Sequence, residues 1–217
     1  MRTKILLVIL VVSSFIQVAA QEKKFNFGIK VAPAISWLSS ENKNISSDGA
    51  AVKCNWGFIG AYNFSQNFSL VSGFNFNYLE GKLKTDDVGL YNHNHPLMYD
   101  VNMPDNNGTK RSYTEFQIPA VFQMKSNEIE HFKIFLQIGL AGGVLVKAKQ
   151  NDVENVFSET SLFNSSFIVA AGVDFPIKGD ISLIGQLKYN GGLTNVGKGG
   201  FSEAKVSFVE LGLGILF

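Results

Sequence analysis

The 217-residue chain carries 19 Lys and Arg against 18 Asp and Glu, one cysteine, and only 17% charged residues, where soluble domains average about 25%. Balanced charge without a run of Lys or Arg excludes a nucleic-acid-binding surface, and the lone Cys54 excludes an internal disulfide. The 21 Gly and 19 Phe beside 5 Pro describe strands with one crowded face and one thin face, because Phe favours strands and Gly weakens them.

Arg2 and Lys4 precede an apolar run, ILLVILVV (residues 5–12), and the small residues Val18, Ala19 and Ala20 follow it. That order is a secretory signal peptide over residues 1–20, with Gln21 as the expected mature start and residues 21–217 as one domain. No later stretch approaches the ~20 apolar residues of a membrane helix. The chain is therefore expected to be exported and not helix-anchored.

From Phe25 onward, eight segments alternate with period 2, the strand signature. The first sets Phe25, Phe27, Ile29, Val31, Ile35 and Trp37 against Asn26, Gly28, Lys30 and Ser36. The second sets Trp56, Phe58, Tyr62 and Phe64 on the apolar side, and the third Phe68, Leu70, Phe74, Phe76 and Tyr78 against Asn75 and Asn77. The fourth alternates Phe116, Ile118 and Phe122 with Glu115 and Gln117. The fifth alternates Ile134, Leu136, Ile138 and Leu140 with Lys133, Gln137 and Gly139. The sixth has Phe167, Val169, Val173 and Phe175 opposite Ala170, Gly172 and Asp174. The seventh has Ile181, Leu183, Leu187 and Tyr189 opposite Gln186, Lys188 and Asn190. The last, VELGLGILF, sets Val209, Leu211, Leu213, Ile215 and Phe217 against Glu210, Gly212 and Gly214.

The connections alternate too. Residues 39–53, 83–113, 148–165 and 194–203 are long, whereas 65–67, 125–131 and 176–180 are short. Long external loops, short periplasmic turns and strands of ~10 residues characterise outer-membrane barrels. The expectation is an all-β, eight-stranded antiparallel up-and-down transmembrane β-barrel with a mostly side-chain-filled interior.

A soluble, lipocalin-like ligand-binding barrel is the alternative, with the apolar face inside. An eight-stranded interior is barely wide enough for side chains, so so many aromatics crowd it, whereas Gly, Ala, Ser and Asn suit it. The aromatics also gather near strand ends, as interfacial girdles require. By parity Lys30, Glu115, Lys133, Asp174, Lys188 and Glu210 all share the thin face. Facing lipid, such charges cost roughly 2–4 kcal/mol each near mid-membrane, the acids less; facing a lumen, opposite signs can pair. A lumenal charge network that fills the interior and a narrow gated pore for ions or small solutes both remain open.

The stripe of Leu213, Ile215 and Phe217 resembles the C-terminal signal that barrel-assembly machinery reads on outer-membrane clients. The FGIKVAP, TEFQIPAVFQMK, VAAGVDFPI and LKYNGGLTNV segments, with the signal peptide and the terminal Phe, resemble the PorT-like family of Bacteroidetes-type outer-membrane proteins. The resemblance implies an eight-stranded barrel similar to the transmembrane part of OmpA, with structural rather than catalytic motifs. Its founding member is tied to protein secretion. Pro33 and Pro119 lie inside strands, where a missing ladder donor predicts a bulge.

Chemistry is sparse. His93, His95 and Asp100 lack a third fixed ligand at regular spacing, so no metal site is expected. Ser36, Ser39 and Ser40 have no His beside them, so no catalytic residues, no cofactor and no enzyme are expected. Tyr91, Leu97, Met98 and Tyr99 give the 83–113 loop unusual apolar content, which suggests a contact surface for a protein or glycan. The expected role is that of a monomeric structural or interaction barrel linked to secretion or envelope maintenance. Its expected partners are outer-membrane lipid, the assembly machinery and an external protein or glycan.

Overall fold

The computed structural model describes residues 24–40, 45–85, 109–150, 153–154, 161–196 and 204–217. The proposed signal peptide and the central part of the 83–113 loop lie outside them. Nine strands follow in chain order: β1 (Phe25–Ser40), β2 (Ile45–Asn63), β3 (Phe68–Thr85), β4 (Thr109–Lys125), β5 (Lys133–Gln150), β6 (Val153–Glu154), β7 (Phe163–Lys178), β8 (Ile181–Gly192) and β9 (Ala204–Leu216). All but β6 form one antiparallel meander in which β5 pairs with both β4 and β7, and β9 returns to β1. The two residues of β6 only extend the edge of β5 at Lys149 and Gln150.

Closure runs from Gly28 opposite Leu216 to Ser40 opposite Ala204. Phe27 and Phe217 exchange both backbone hydrogen bonds, at 2.8 and 2.7 Å. A spanning sheet has no choice here, because an open edge in hydrocarbon leaves N–H and C=O groups without partners. The apolar stripe faces outward: Phe27, Ile29 and Val31 on β1 and Ile138 and Leu140 on β5 are all about half exposed or more, while Ala32, Asn77 and Gln117 are sealed inside.

Strands β1 to β5 run for 16 to 19 residues, well beyond the ~9–11 that cross the hydrocarbon. Much of what the sequence suggested as external loop is therefore strand. The reason is an inversion of chemistry at constant parity. Along β3 the outward positions pass from Phe74, Phe76 and Tyr78 to Glu80 and Lys82, while the inward ones pass from Asn75 and Asn77 to Leu79 and Leu83. Beyond the membrane the wall behaves as a soluble barrel, with Leu38, Leu79, Leu83, Tyr113, Leu145, Val206 and Phe208 forming a buried apolar cap.

Neither proline makes the bulge expected of it. Pro33 stays in register opposite Cys54 and Pro119 opposite Ala141. The ladder instead skips Ala32 and Pro33 on the β9 side, and positions 118–120 on the β3 side. There Ser72 Oγ donates to the Pro119 carbonyl at 2.8 Å. The missing donor falls in a gap of pairing, so no extra residue is needed.

The orientation of the wall has a direct test. Leu140, 60% exposed near the middle of the β5 stripe, is expected to lose about 2–4 kcal/mol of barrel stability as Leu140→Arg. Leu140→Phe is expected to behave as the parent. The temperature at which the unboiled gel band shifts, compared across the three proteins, measures both.

Candidate functional site

The interior is filled by side chains in three tiers. In the middle tier, Glu210 on β9 takes a 2.7 Å contact from Lys30 Nζ on β1 and a 2.8 Å contact from Lys188 Nζ on β8, both at Oε1. The Lys30 contact is a hydrogen bond. Lys188 approaches off the hydrogen-bonding angle and acts there as a charge, with its ammonium 5.4 Å from the centre of the Phe208 ring. Asn55 on β2 donates to the other oxygen, Oε2, at 3.3 Å. All three charged residues are at most 7% exposed, so each depends on the others for compensation.

Glu115 on β4 is held differently. Asn77 Nδ2 donates to it at 2.9 Å and Asn164 Nδ2 at 2.8 Å, with Gln117 Nε2 at 3.4 Å. No ammonium reaches it within ion-pair distance among the described residues. Gln117 continues the chain across the lumen to Ser166 and Asn190 at 3.3 and 3.4 Å. Gly143 makes room for the carboxylate, since a Cβ there would collide with the Glu115 side chain.

Toward the short turns, Asp174 pairs with Lys125 at 2.8 Å. It stands between a small chamber of about 40 Å³, enough for a water molecule, and a wider vestibule of about 830 Å³ lined by Lys24, Asn63, Glu128, Lys133 and Asp180. Lys133 lies opposite Asp174 in the ladder and sits half-buried at that mouth. The structure thus joins Lys30, Lys188 and Glu210 in one contact, leaves Glu115 among amides, and places Asp174 and Lys133 at the vestibule. Sequence reasoning missed Lys125, which stands at the end of a segment where a turn begins, and missed the amides, whose share of the work shows only in the packing.

Leu213, Ile215 and Phe217 project outward from β9. Tyr91, Leu97, Met98, Tyr99, His93 and His95 lie outside the described residues. Among the described residues no three His, Cys, Asp or Glu side chains gather as a metal site.

A second polar feature lies on the outer wall. β2 leaves the β3 ladder between Ala50 and Trp56. Asn55 Oδ1 then accepts from the Tyr78 N–H at 2.9 Å, while Ser36 Oγ accepts from the Glu80 N–H at 2.8 Å and donates to its carbonyl at 2.7 Å. These side chains replace the missing ladder partners. A groove of about 340 Å³ opens there, lined by Lys53, Tyr78, Glu80, Lys110, Lys147 and Lys149 among others.

A closed antiparallel barrel of eight strands, apolar outside and plugged inside, is the architecture of an outer-membrane β-barrel protein. The chain belongs to the outer membrane protein beta-barrel domain family, which it matches over residues 19–197. Its fold is similar to that of Neisserial surface protein A (NspA), with 14% identity, a TM-score of 0.54, and 89% of this chain and 96% of that chain covered. It is also similar to the outer membrane protein OprG of Pseudomonas aeruginosa, with 11% identity, a TM-score of 0.51, and 88% and 95% covered. No curated protein matches the sequence. The protein resides in the outer membrane, which sets aside the soluble lipocalin-like alternative.

The middle tier predicts an asymmetry. Glu210→Gln leaves Lys30 and Lys188 buried without their counter-charge, and a loss of about 3–5 kcal/mol is expected. The combined Lys30→Met, Lys188→Met, Glu210→Leu variant is expected to recover most of it. Urea unfolding in detergent micelles, monitored by tryptophan fluorescence, measures the difference; a Glu210→Gln protein as stable as its parent would show that the triad carries no stability.

Proposed function

We propose that the protein is a closed, membrane-anchored interaction barrel of PorT-like type that serves secretion or envelope maintenance through its external loops. In this reading the 83–113 loop, with Tyr91, Leu97, Met98 and Tyr99, contacts a protein or surface glycan. The observation that carries the reading is the plugged lumen. Among the described residues the Lys30–Glu210–Lys188 triad and the apolar cap stand between the vestibule and the external end. A barrel with its interior so filled has its outer surface and loops left for function.

Two measurements test this reading. In planar bilayers the purified barrel is expected to give no discrete conductance steps, and stable unitary steps would favour the pore instead. In a deletion strain, a version with residues 86–108 replaced by a short Gly-Ser turn is expected to insert at the parent's level. It is nevertheless expected to fail to restore detergent resistance and secreted-protein yield. Full complementation by that version would overturn the loop's role.

We infer also that the outward stripe of Leu213, Ile215 and Phe217 on the closing strand is what the barrel-assembly machinery recognises. Phe217→Ser is then expected to cut the folded yield in cells several-fold while leaving refolding in detergent unchanged. Equal losses in both settings would instead make Phe217 a packing residue.

A further inference from the structure

The middle tier carries more positive charge than its carboxylate answers. Lys30 and Lys188 both rest on the same oxygen of Glu210, at 2.7 and 2.8 Å, so their ammoniums are no farther apart than those two contacts laid end to end. Asn55 takes the other oxygen. Lys188 Nζ is buried with no hydrogen-bond acceptor. Two ammoniums on one carboxylate leave a single positive charge away from bulk water, which is costly unless another group compensates it.

The neighbouring acids do not supply that compensation at contact distance. Asp174 is matched one for one by Lys125. Glu115 is held by Asn77, Asn164 and Gln117 and acts on Lys188 only from beyond ion-pair distance.

Both lysines line the small chamber that Asp174 divides from the vestibule. Two amides, Asn75 and Gln186, line it as well. They are 3% and 6% exposed, and neither side chain makes a hydrogen bond among the described residues. Asn75 lies over Gly57, which stands between Lys30 and Asn75 in the ladder, and Gln186 lies over its partner Gly212. A Cβ at either glycine would collide with the amide side chain. Much of the remaining lining is apolar, with Val121, Phe135, Ile168 and Leu216, so charge interactions in the chamber are weakly screened.

We propose that this chamber binds one small monovalent inorganic anion, of the chloride kind, as the second counter-ion of the triad. Lys30 Nζ, Lys188 Nζ and the amide NH₂ groups of Asn75 and Gln186 are its donors. Ammoniums offer donors and no acceptor, which selects an anion over a cation, and the excess of one charge selects a monovalent one. The ion enters from the vestibule past the Lys125–Asp174 pair and leaves the lumen filled. This inference does not rest on the role proposed for the 83–113 loop.

The test titrates the full-length mature barrel in detergent micelles with sodium chloride, with sodium gluconate holding the ionic strength constant. Chloride is expected to raise the unfolding temperature by a few degrees in a saturable way, as a ligand bound only by the folded state does, and bromide is expected to do the same. Lys188→Gln leaves one lysine for one carboxylate and is expected to lose the response. Gln186→Leu keeps both charges and is expected to bind chloride roughly tenfold more weakly; it decides the matter if Lys188→Gln does not fold. Crystals grown in bromide are expected to show an anomalous peak between Lys30 Nζ and Lys188 Nζ. An unfolding temperature indifferent to chloride, an undiminished response in both variants, or a bromide map without a peak in the chamber would each overturn the proposal. A peak without any chloride response would mark an adventitious ion only and overturn it equally.

Discussion

The structure depends on the ladder between β1 and β9, where the last strand meets the first. In water an unpaired strand edge is solvated; in hydrocarbon each open N–H and C=O costs several kcal/mol. Closure therefore has to be complete, and the seam is made to hold on its inner side as well. Glu210 stands on β9, and its cations come from β1 and β8, the two strands that β9 must join. The contact that fills the lumen also spans the seam, so correct pairing of the final strand and charge compensation are achieved together. A slip of one residue would turn Glu210 toward lipid and Leu211 inward.

The second organising fact is that one continuous alternation serves two solvents. Along β3 the inward and outward sets never exchange, yet the inward set turns from amides to Leu79 and Leu83 at the height where the outward set turns from rings to Glu80 and Lys82. Below that height the lumen holds hydrogen-bonded polar groups and two small apolar clusters, one around Ile168 and one around Phe135, while most of the large apolar side chains are used against lipid. Above it the exterior meets water, and the apolar residues move inside to hold the wall together. The cap of Leu38, Leu79, Leu83 and Phe208 is thus a small soluble core on top of a membrane protein.

That switch explains what the sequence could and could not reveal. The period-2 stripes from Phe25 to Phe217 made strand number, face and closure legible, because lipid imposes apolar residues at every second position. The parity of Lys30, Lys188 and Glu210 likewise pointed them to one face. The strand extensions were not legible, because Leu79, Leu83 and Tyr113 sit on the parity already assigned to small and polar residues and so look like the start of loops. Pro33 and Pro119 misled for another reason: the rule that proline breaks a ladder is local, and the gaps in pairing that receive them are set by neighbouring strands.

The vestibule beneath Asp174 has a consequence for the envelope as a barrier. It is an open, polar chamber of about 830 Å³ at the end that bears the short turns, so periplasmic water extends part of the way into the barrel. The remaining insulation consists of a few specific layers: the Lys125–Asp174 pair, the apolar clusters around Phe135 and Ile168, the triad, and the apolar cap. Across a membrane of ordinary thickness the barrel is thus a stoppered bottle rather than a solid rod. Permeability of the cell surface becomes sensitive to side chains far from any loop, and drift at a handful of interior positions, rather than at the wall, is what would convert this anchor into a leak.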